Sequence, residues 1–294
     1  MPATTTAPAP DNYAAPNRTA MGRAWRWLTA FAIWGTVILN YYANTHPFNG
    51  QTMGGVSAKY PTLLTPAGYA FSIWGLIFLS LVGYSVWQLA PAQQRLSLPY
   101  ALARPLLLAC VATSAWVVLF AYELILPSVG VMLLLLGCLI VTYGRARRRI
   151  FADAAPVWVG VPFSLFLGWI SVASAINITI GLRHLGLQTA EGLSVVFTLV
   201  LFVVLVGLAL IISRVFRDMV FPLVVAWALV AIWVVRLREV PELGWAALAA
   251  ATVVTIAGVV LSRLGGRKTP WQLRDEAAAA IEAEIAARKA AHNN

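Results

Sequence analysis

The sequence is poor in charged residues, and this shortage excludes most classes of soluble protein. Only 11% of its 294 residues are Asp, Glu, Lys or Arg, whereas 60% are hydrophobic. A soluble domain carries about 25% charged residues, so this composition, with a mean hydropathy of +0.78, indicates a protein embedded in a lipid bilayer. The net charge of +10 does not indicate a nucleic-acid partner, because the basic residues cluster at the ends of apolar segments.

Cysteine and histidine are also scarce. Both cysteines, Cys110 and Cys138, lie inside apolar segments, which argues against a disulfide framework and favours a packing role. None of the three histidines has a cysteine or carboxylate at the spacing of metal ligands, so no metal site is predicted. A glycine-rich phosphate loop and a nucleophile elbow are missing too. The sequence therefore offers no catalytic residues, and an enzyme is not the favoured interpretation.

Ionisable residues are missing from the centres of the apolar segments. Glu123, Asp153, Asp218, Glu239 and Glu242 all lie at segment ends or in loops. Ion-coupled and proton-coupled transporters usually carry an ionisable group near the membrane centre. This absence argues against a coupled pump but leaves facilitated transport open.

What the sequence has in abundance is apolar segments suited to crossing a bilayer, for which about 20 residues are needed. We predict an all-α, polytopic membrane bundle of about eight transmembrane helices. Residues 1–24 are predicted to be a disordered tail, and residues 265–294 a polar, helical tail. The predicted spans cover residues 27–42, 66–89, 104–122, 124–143, 158–182, 192–213, 219–237 and 244–264.

The distribution of basic residues predicts the orientation of these spans. All but four of the 21 Lys and Arg residues lie in the two tails or in the loops after spans two, four and six. The positive-inside rule then places both termini in the cytoplasm, in the cell (inner) membrane, and the 43–65 loop outside. The four exceptions are Lys59, Arg183, Arg236 and Arg238.

The fifth span carries the most informative pattern. Trp169, Ala173 and Asn177 are four residues apart, so they share one helix face, flanked by Ser171 and Ser174. An asparagine within hydrocarbon is costly unless it is hydrogen-bonded. A tryptophan and small residues on the same stripe are typical of a face turned toward other helices. The stripe therefore predicts one wall of a pocket.

Tryptophan is unusually common, with 12 in the chain. Trp25, Trp27, Trp87, Trp158 and Trp245 lie at span ends, where anchoring to lipid headgroups explains them. A set of internal indoles around one cavity would suit a flat hydrophobic ring such as a tetrapyrrole or sterol, although ordinary helix packing is the alternative. The internal ones are Trp34, Trp74, Trp116, Trp169, Trp227 and Trp233.

The connection after the first span, residues 43–65, is long and almost uncharged. Connections of this length often act as lids or binding loops, although a plain solvated loop would have the same composition. We assign four of its residues to a lid over the pocket mouth: His46, Phe48, Asn49 and Gln51.

The fifth-span stripe is similar to a motif of the tryptophan-rich sensory protein and translocator (TspO/MBR) family. The segment Trp169–Asn177 resembles that family's W-x-S-F-A-x-x-L-N pattern in helix five, but Leu165 replaces the proline that precedes it. The segment Pro66–Trp74 resembles P-P-G-W-x-F-x-x-x-W of helix two, one residue shorter and with Tyr69 in place of a tryptophan.

Trp116 resembles the tryptophan of the family's L-N-x-x-W-S element in helix three, with Thr113 and Val117 at the Asn and Ser positions. The resemblance covers roughly residues 27–183. It implies a five-helix, translocator-like membrane domain over residues 25–183 and leaves residues 184–264 as a three-helix extension.

The resemblance also implies a function. Members bind porphyrins, some bind sterols, and some bacterial members are linked to light-dependent porphyrin breakdown and to stress signalling. We expect the protein to require no cofactor. The resemblance implies a porphyrin or haem-like ligand in a pocket open toward the loop between helices one and two. Carried over by position, the ligand-binding residues are Trp74, Trp116, Trp169, Ala173 and Asn177, with Tyr69 added on the weaker match.

Three functions follow, in order of preference. The first is a receptor or carrier for a flat hydrophobic ligand. The second is a facilitative transporter of eight helices, with Gly207, Pro222 and Gly258 as flex points. The third is a photochemical enzyme that degrades porphyrin. The expected partners are the lipid bilayer and a hydrophobic small molecule; a homodimer stays open, since the added spans could cover a dimer surface used by the shorter proteins.

Overall fold

A computed structural model describes residues 20–152, 155–187 and 191–264, together with scattered positions between 278 and 285. Within these residues every regular element is helical and there is no strand, as the all-α prediction requires. Residues 1–19 of the tail predicted at residues 1–24, and most of the predicted C-terminal tail, lie outside the described residues.

The described residues form nine α-helices, joined in places by short 3₁₀ turns. The first begins at Ala20, so the residues that end the predicted N-terminal tail are helical. The helices are α1 (Ala20–Thr45), α2 (Met53–Lys59), α3 (Ile73–Leu89), α4 (Leu98–Ala121), α5 (Ile125–Ala152), α6 (Val161–His184), α7 (Glu191–Phe216), α8 (Val220–Glu239) and α9 (Pro241–Leu264).

Seven of these helices, α3 to α9, are long and apolar enough to cross a membrane. The eighth predicted span, residues 27–42, lies in α1, which is not among them although it has 26 residues. Its apolar character is diluted by polar residues such as Thr29, Thr36 and Asn40, which face inward and are buried. The count of seven is thus established by length and composition, and the eighth crossing stays a prediction.

The predicted spans 104–122 and 124–143 leave only Glu123 between them, and the structure places a tight reversal there. Helix α4 ends at Ala121 and α5 begins at Ile125. Glu123 makes the turn with a left-handed backbone, at φ 56°, and Pro127 falls in the first turn of α5, where its missing N–H has no helical partner to lose. The long apolar stretch around this turn therefore holds two separate candidate spans, as the sequence predicted.

Helix α6 is the most deeply buried of the candidate spans. It contacts α3, α5 and α8, while α1 packs on α3 and α4, and α9 packs on α7 and α8. The stripe predicted to look inward is thus carried by the helix with the most neighbours around it. The structure places the side chains of Trp169 and Asn177 at 2% exposure.

A buried polar cluster joins α5, α6 and the start of α8. The Asp218 carboxylate pairs with the Arg147 guanidinium and accepts hydrogen bonds from the hydroxyls of Tyr143 (2.7 Å) and Ser164 (2.6 Å). Its second oxygen accepts from the backbone N–H of Val220 at 2.8 Å, which satisfies one of the free amides at the start of α8. One carboxylate thus fixes α8 against α5 and α6.

Glycine allows α8 and α9 to approach closely. A Cβ on Gly258 of α9 would lie 2.7 Å from the Cβ of Pro222 of α8 and 3.4 Å from the Ser213 hydroxyl. Gly207 of α7 has open space at the same position. The predicted flex points are therefore of two kinds: Gly258 and Pro222 form a packed contact, whereas Gly207 lines an apolar groove between α7 and α9.

Candidate ligand-binding cleft

A small, almost entirely apolar cleft lies between α2, the start of α3, α4 and α6. Its volume is about 30 Å³, close to the space that a single water molecule needs. It brings together five of the six residues predicted to bind a ligand. Its lining consists of Ser57, Phe71, Trp74, Trp116, Phe120, Trp169, Ala173, Ile176, Asn177 and Ile180.

Helix α6 supplies one full wall of the cleft. Trp169, Ala173 and Asn177 line it in the order that their four-residue spacing predicts. Ile176 and Ile180 extend the same face by one turn, which the tryptophan-to-asparagine motif alone did not indicate. Because α6 is surrounded by other helices, this wall is rigidly held.

Helix α4 and the start of α3 supply the opposite walls. The rings of Trp116 and Phe120 lie parallel, with centroids 5.0 Å apart and planes 15° apart. Trp74 packs edge to face against Phe166 of α6 at 5.9 Å. The i, i+4 spacing of Trp116 and Phe120 could have identified Phe120 as a wall residue from the sequence.

Phe71, in the 3₁₀ turn before α3, and Ser57, in α2, complete the lining of the cleft. The Phe71 ring meets Trp169 edge to face, with centroids 5.8 Å apart. Ser57 lies on α2 and is 4% exposed. Neither residue belongs to a long periodic helix, so the sequence pattern gave no signal for them.

Two buried polar atoms in the cleft lack partners. The Trp116 indole N–H and the Asn177 carboxamide oxygen have no hydrogen-bond partner among the residues that the structure describes. A buried donor or acceptor left unpaired costs about 1–3 kcal/mol. The cleft thus presents one free donor and one free acceptor between aromatic and aliphatic walls.

Tyr69, the sixth predicted ligand-binding residue, lies outside the cleft. It is 43% exposed, and its ring meets Trp227 of α8 edge to face at 5.3 Å. The cause is the 3₁₀ turn over residues 68–72, in which successive side chains rotate by about 120°. Phe71, two residues later, therefore points into the cleft in place of Tyr69.

The four residues assigned to the lid do not line the cleft either. His46 stacks on Tyr42 with ring centroids 4.9 Å apart, and the Phe48 ring lies 6.0 Å from the same tyrosine. Asn49 donates a weak hydrogen bond to the backbone oxygen of Ala121 at 3.4 Å. Gln51 lies beside Gly55. The cover over the cleft comes from α2 and Phe71 instead.

A charged contact fastens α2 to the turn between α4 and α5. The Lys59 ammonium donates to Glu123 Oε1 at 2.6 Å, and the Tyr60 hydroxyl donates to Glu123 Oε2 at 2.8 Å. The hydrogen bonds from Lys59 and then Tyr60 lower the pKa of the Glu123 carboxyl. The same contact raises the pKa of the Tyr60 phenol, which keeps that group protonated as a donor.

The other internal tryptophans serve packing. Trp34 is 43% exposed, and its N–H donates to the Ser85 hydroxyl at 3.0 Å. Trp227 donates to a backbone oxygen of the segment before α3, and Trp233 is half-buried beside the core. Three of the six internal indoles therefore line the cleft, and the other three contact different parts of the bundle.

No group of three or more His, Cys, Asp or Glu side chains that could hold a metal ion occurs in the part of the chain that the structure describes. The two cysteine thiols are free and buried. The cleft itself presents aromatic surfaces, one hydrogen-bond donor and one acceptor.

The family model described as TSPO-like protein matches residues 26–260, which is more than half of the chain. The matched region contains the whole resemblance noted over residues 27–183 and continues through α7 and α8 into α9. The family match therefore extends beyond the resemblance and includes most of the last three spans. No curated protein and no solved structure matches this chain.

Proposed function

We propose that this chain, which belongs to the TSPO-like protein family, is a membrane receptor or carrier that binds a porphyrin or another flat tetrapyrrole in the cleft. The observation that carries the proposal is the pair of unpartnered polar atoms, Trp116 Nε1 and Asn177 Oδ1, within a cleft of aromatic side chains. An apolar pocket with a few convergent polar groups is the usual form of a small-molecule site.

The chemistry of the cleft matches that of a tetrapyrrole. The indoles of Trp74 and Trp169 offer flat apolar surfaces for a conjugated ring. The Asn177 oxygen can accept a hydrogen bond from a ring N–H, and the Trp116 N–H can donate one to a carboxylate or carbonyl at the ring edge. A purely aliphatic ligand would leave both polar atoms unsatisfied.

The size of the cleft adds a mechanical requirement. Sites for small molecules commonly measure about 300–1,000 Å³, whereas the empty cleft holds about 30 Å³. Binding must therefore displace part of its lining. The walls on α4 and α6 belong to packed helices, so the cover formed by Phe71 and α2 is the part that moves.

A titration with protoporphyrin IX tests the proposal. Purified protein in detergent should shift the porphyrin absorbance and quench tryptophan fluorescence, with saturation at a fixed stoichiometry. The double variant Trp169→Phe, Asn177→Ala should weaken binding by about 1–3 kcal/mol, or roughly 5- to 150-fold in Kd. Trp34→Phe with Asn44→Ala is the matched control, since both residues lie outside the cleft. Equal affinity of the double variant and the control would overturn the site.

The same preparation separates the three functions considered from the sequence. A receptor should bind porphyrin without moving it across a membrane, whereas a carrier or transporter should release porphyrin trapped inside proteoliposomes. A degrading enzyme should lose the porphyrin spectrum faster under light than a sample without protein. Binding with neither flux nor loss identifies the receptor.

We further propose that α1 is an eighth crossing and that both termini are cytoplasmic. Helix α1 is about 39 Å long at 1.5 Å per residue, longer than the hydrocarbon core of about 30 Å. Its polar residues Thr36 and Asn40 are buried, and its exposed face carries Phe31 and Ile38, as expected for a helix with lipid on the outside. Reporter fusions at both ends should be active on the cytoplasmic side; opposite sides would exclude eight crossings.

A further inference from the structure

The segment between α2 and α3, residues 60–72, is fastened to α8. We call it the cover segment. The backbone N–H of Ala67 donates to the backbone oxygen of Ala231 on α8 at 3.0 Å. The Trp227 indole N–H, also on α8, donates to the backbone oxygen of Ala70 at 3.1 Å. Two turns of α8 therefore bond directly to the backbone of the cover segment.

A buried arginine holds the other end of the cover segment. Arg236, in the last turn of α8, is 7% exposed and pairs with Glu239. Its guanidinium donates to the backbone oxygens of Thr62 at 3.3 Å and Thr65 at 3.4 Å. Both contacts are long for hydrogen bonds, and the Thr62 oxygen also accepts from the Thr65 N–H at 2.9 Å. The positive charge of the guanidinium strengthens each contact, so Arg236 ties this loop to α8.

The cover segment ends in the cleft. Phe71 directly follows Ala70, whose oxygen Trp227 holds, and the Phe71 ring rests on Trp169 inside the cleft. A displacement of the backbone at Ala70 must therefore carry the Phe71 ring with it. Since the cleft is too small for a ligand until its cover moves, the bonds from α8 oppose the step that opens it.

We infer that α8 holds the cleft closed as a latch on the cover segment. Trp227 and Arg236 are positioning residues that set how fast the cover segment moves away from the cleft. This assigns a role to part of the three-helix block, α7 to α9, which supplies no residue to the cleft lining. The role in ligand exchange rests on the proposed porphyrin binding, whereas the role in holding the cover segment does not.

Hydrogen exchange measured by mass spectrometry tests the latch without a ligand. In the double variant Trp227→Phe, Arg236→Gln, the amides of residues 62–72 should exchange about tenfold faster or more, since each lost hydrogen bond contributes roughly fivefold. Trp227→Phe alone should give a smaller increase and guards against misfolding of the double variant. Trp245→Phe with Arg238→Gln is the matched control, because both side chains are exposed. Unchanged exchange at residues 62–72 in the single and double variants would overturn the inference.

Porphyrin kinetics then test what the latch does. Both the association rate and the dissociation rate of protoporphyrin IX should rise by a similar factor in the double variant, while the control keeps the rates of the wild type. Faster exchange without faster porphyrin kinetics would show that the bonds only stabilise the loop, and would overturn the latch. If the wild type binds no porphyrin, the proposed function fails, and the exchange experiment still decides whether α8 holds the cover segment.

Discussion

The indole N–H of Trp116 and the carboxamide oxygen of Asn177 line the same cleft from different helices, and neither finds a partner in the described structure. In hydrocarbon such atoms are normally paired, because leaving them bare is costly. Leaving them unpaired opposes stability, and a bound molecule that pairs with both atoms would offset that cost. This conflict between stability and binding can be measured.

Asn177→Leu should stabilise the empty protein and weaken its binding of porphyrin. Leucine has the same branched arrangement of four side-chain heavy atoms and removes the bare acceptor, so we expect a gain of about 1 kcal/mol in the free energy of unfolding. Porphyrin affinity should fall by about the same free energy. Denaturant titration in detergent and porphyrin titration measure the two effects. Asn40→Leu is the control: Asn40 is also buried, but its amide donates to the Thr36 backbone oxygen at 2.8 Å, so no stabilisation is expected there.

The contact of α2 with Glu123 should weaken in acid. Lys59 and Tyr60 lower the pKa of the Glu123 carboxyl. The contribution of this carboxylate to the stability of α2 is therefore complete above the ordinary pKa of a glutamate. The contribution is lost as the pH falls through the lowered value. In Glu123→Gln, hydrogen exchange of residues 53–60 should be faster than in the wild type at pH 7. The difference between the two proteins should vanish in acid; a difference that persists below the lowered pKa would contradict this role.

The buried Arg147–Asp218 pair should be indispensable to stability. Arg147→Gln leaves the Asp218 carboxylate buried with two hydroxyl donors but no positive partner, and breaking such a pair by one substitution costs about 3–5 kcal/mol. Unfolding of the detergent-solubilised protein measures the loss. Arg148→Gln, one position along on the exposed side of α5, should change stability by no more than about 0.5 kcal/mol. A similar small change in both variants would show that the pair is dispensable.

Alanine at two glycines should have opposite effects. Gly258→Ala places a methyl group 2.7 Å from the Pro222 Cβ, and overpacking of this kind costs about 1–3 kcal/mol. Gly207→Ala meets no atom within 4 Å and should gain up to about 1 kcal/mol from better helix propensity. Thermal unfolding of the two variants in the same detergent makes the comparison. Destabilisation by both would mean that the groove beside Gly207 is occupied in solution.

The sequence predicted the walls of the cleft better than its cover. The four-residue spacing of Trp169, Ala173 and Asn177 places them on one helix face. On a membrane helix, a face that carries an asparagine is expected to point toward other helices and not toward lipid. Trp74 and Trp116 joined them through family resemblance, and Phe120 lies one turn beyond Trp116. The α6 positions and Phe120 follow from helical geometry, whereas Trp74 and Trp116 came from the resemblance.

The cover depends on geometry that no sequence period encodes. The 3₁₀ turn before α3 turned Tyr69 toward α8 and Phe71 into the cleft, and the hydrogen bonds from Trp227 and Arg236 join residues more than 150 positions apart. The number of crossings also depends on packing that the sequence does not show. Helix α1 buries its polar residues against α3 and α4, so its mean hydropathy understates how apolar its outer face is.

The carboxylate that joins α5 to α8 comes late in the chain. Tyr143 and its partner Asp218 lie 75 positions apart, so the ribosome completes α5 and α6 well before Asp218 exists. Arg147 is therefore synthesised well before the carboxylate with which it pairs. The packing of α5 against α6 is therefore completed by a residue that follows α7, so the final assembly of this part of the bundle depends on its C-terminal half.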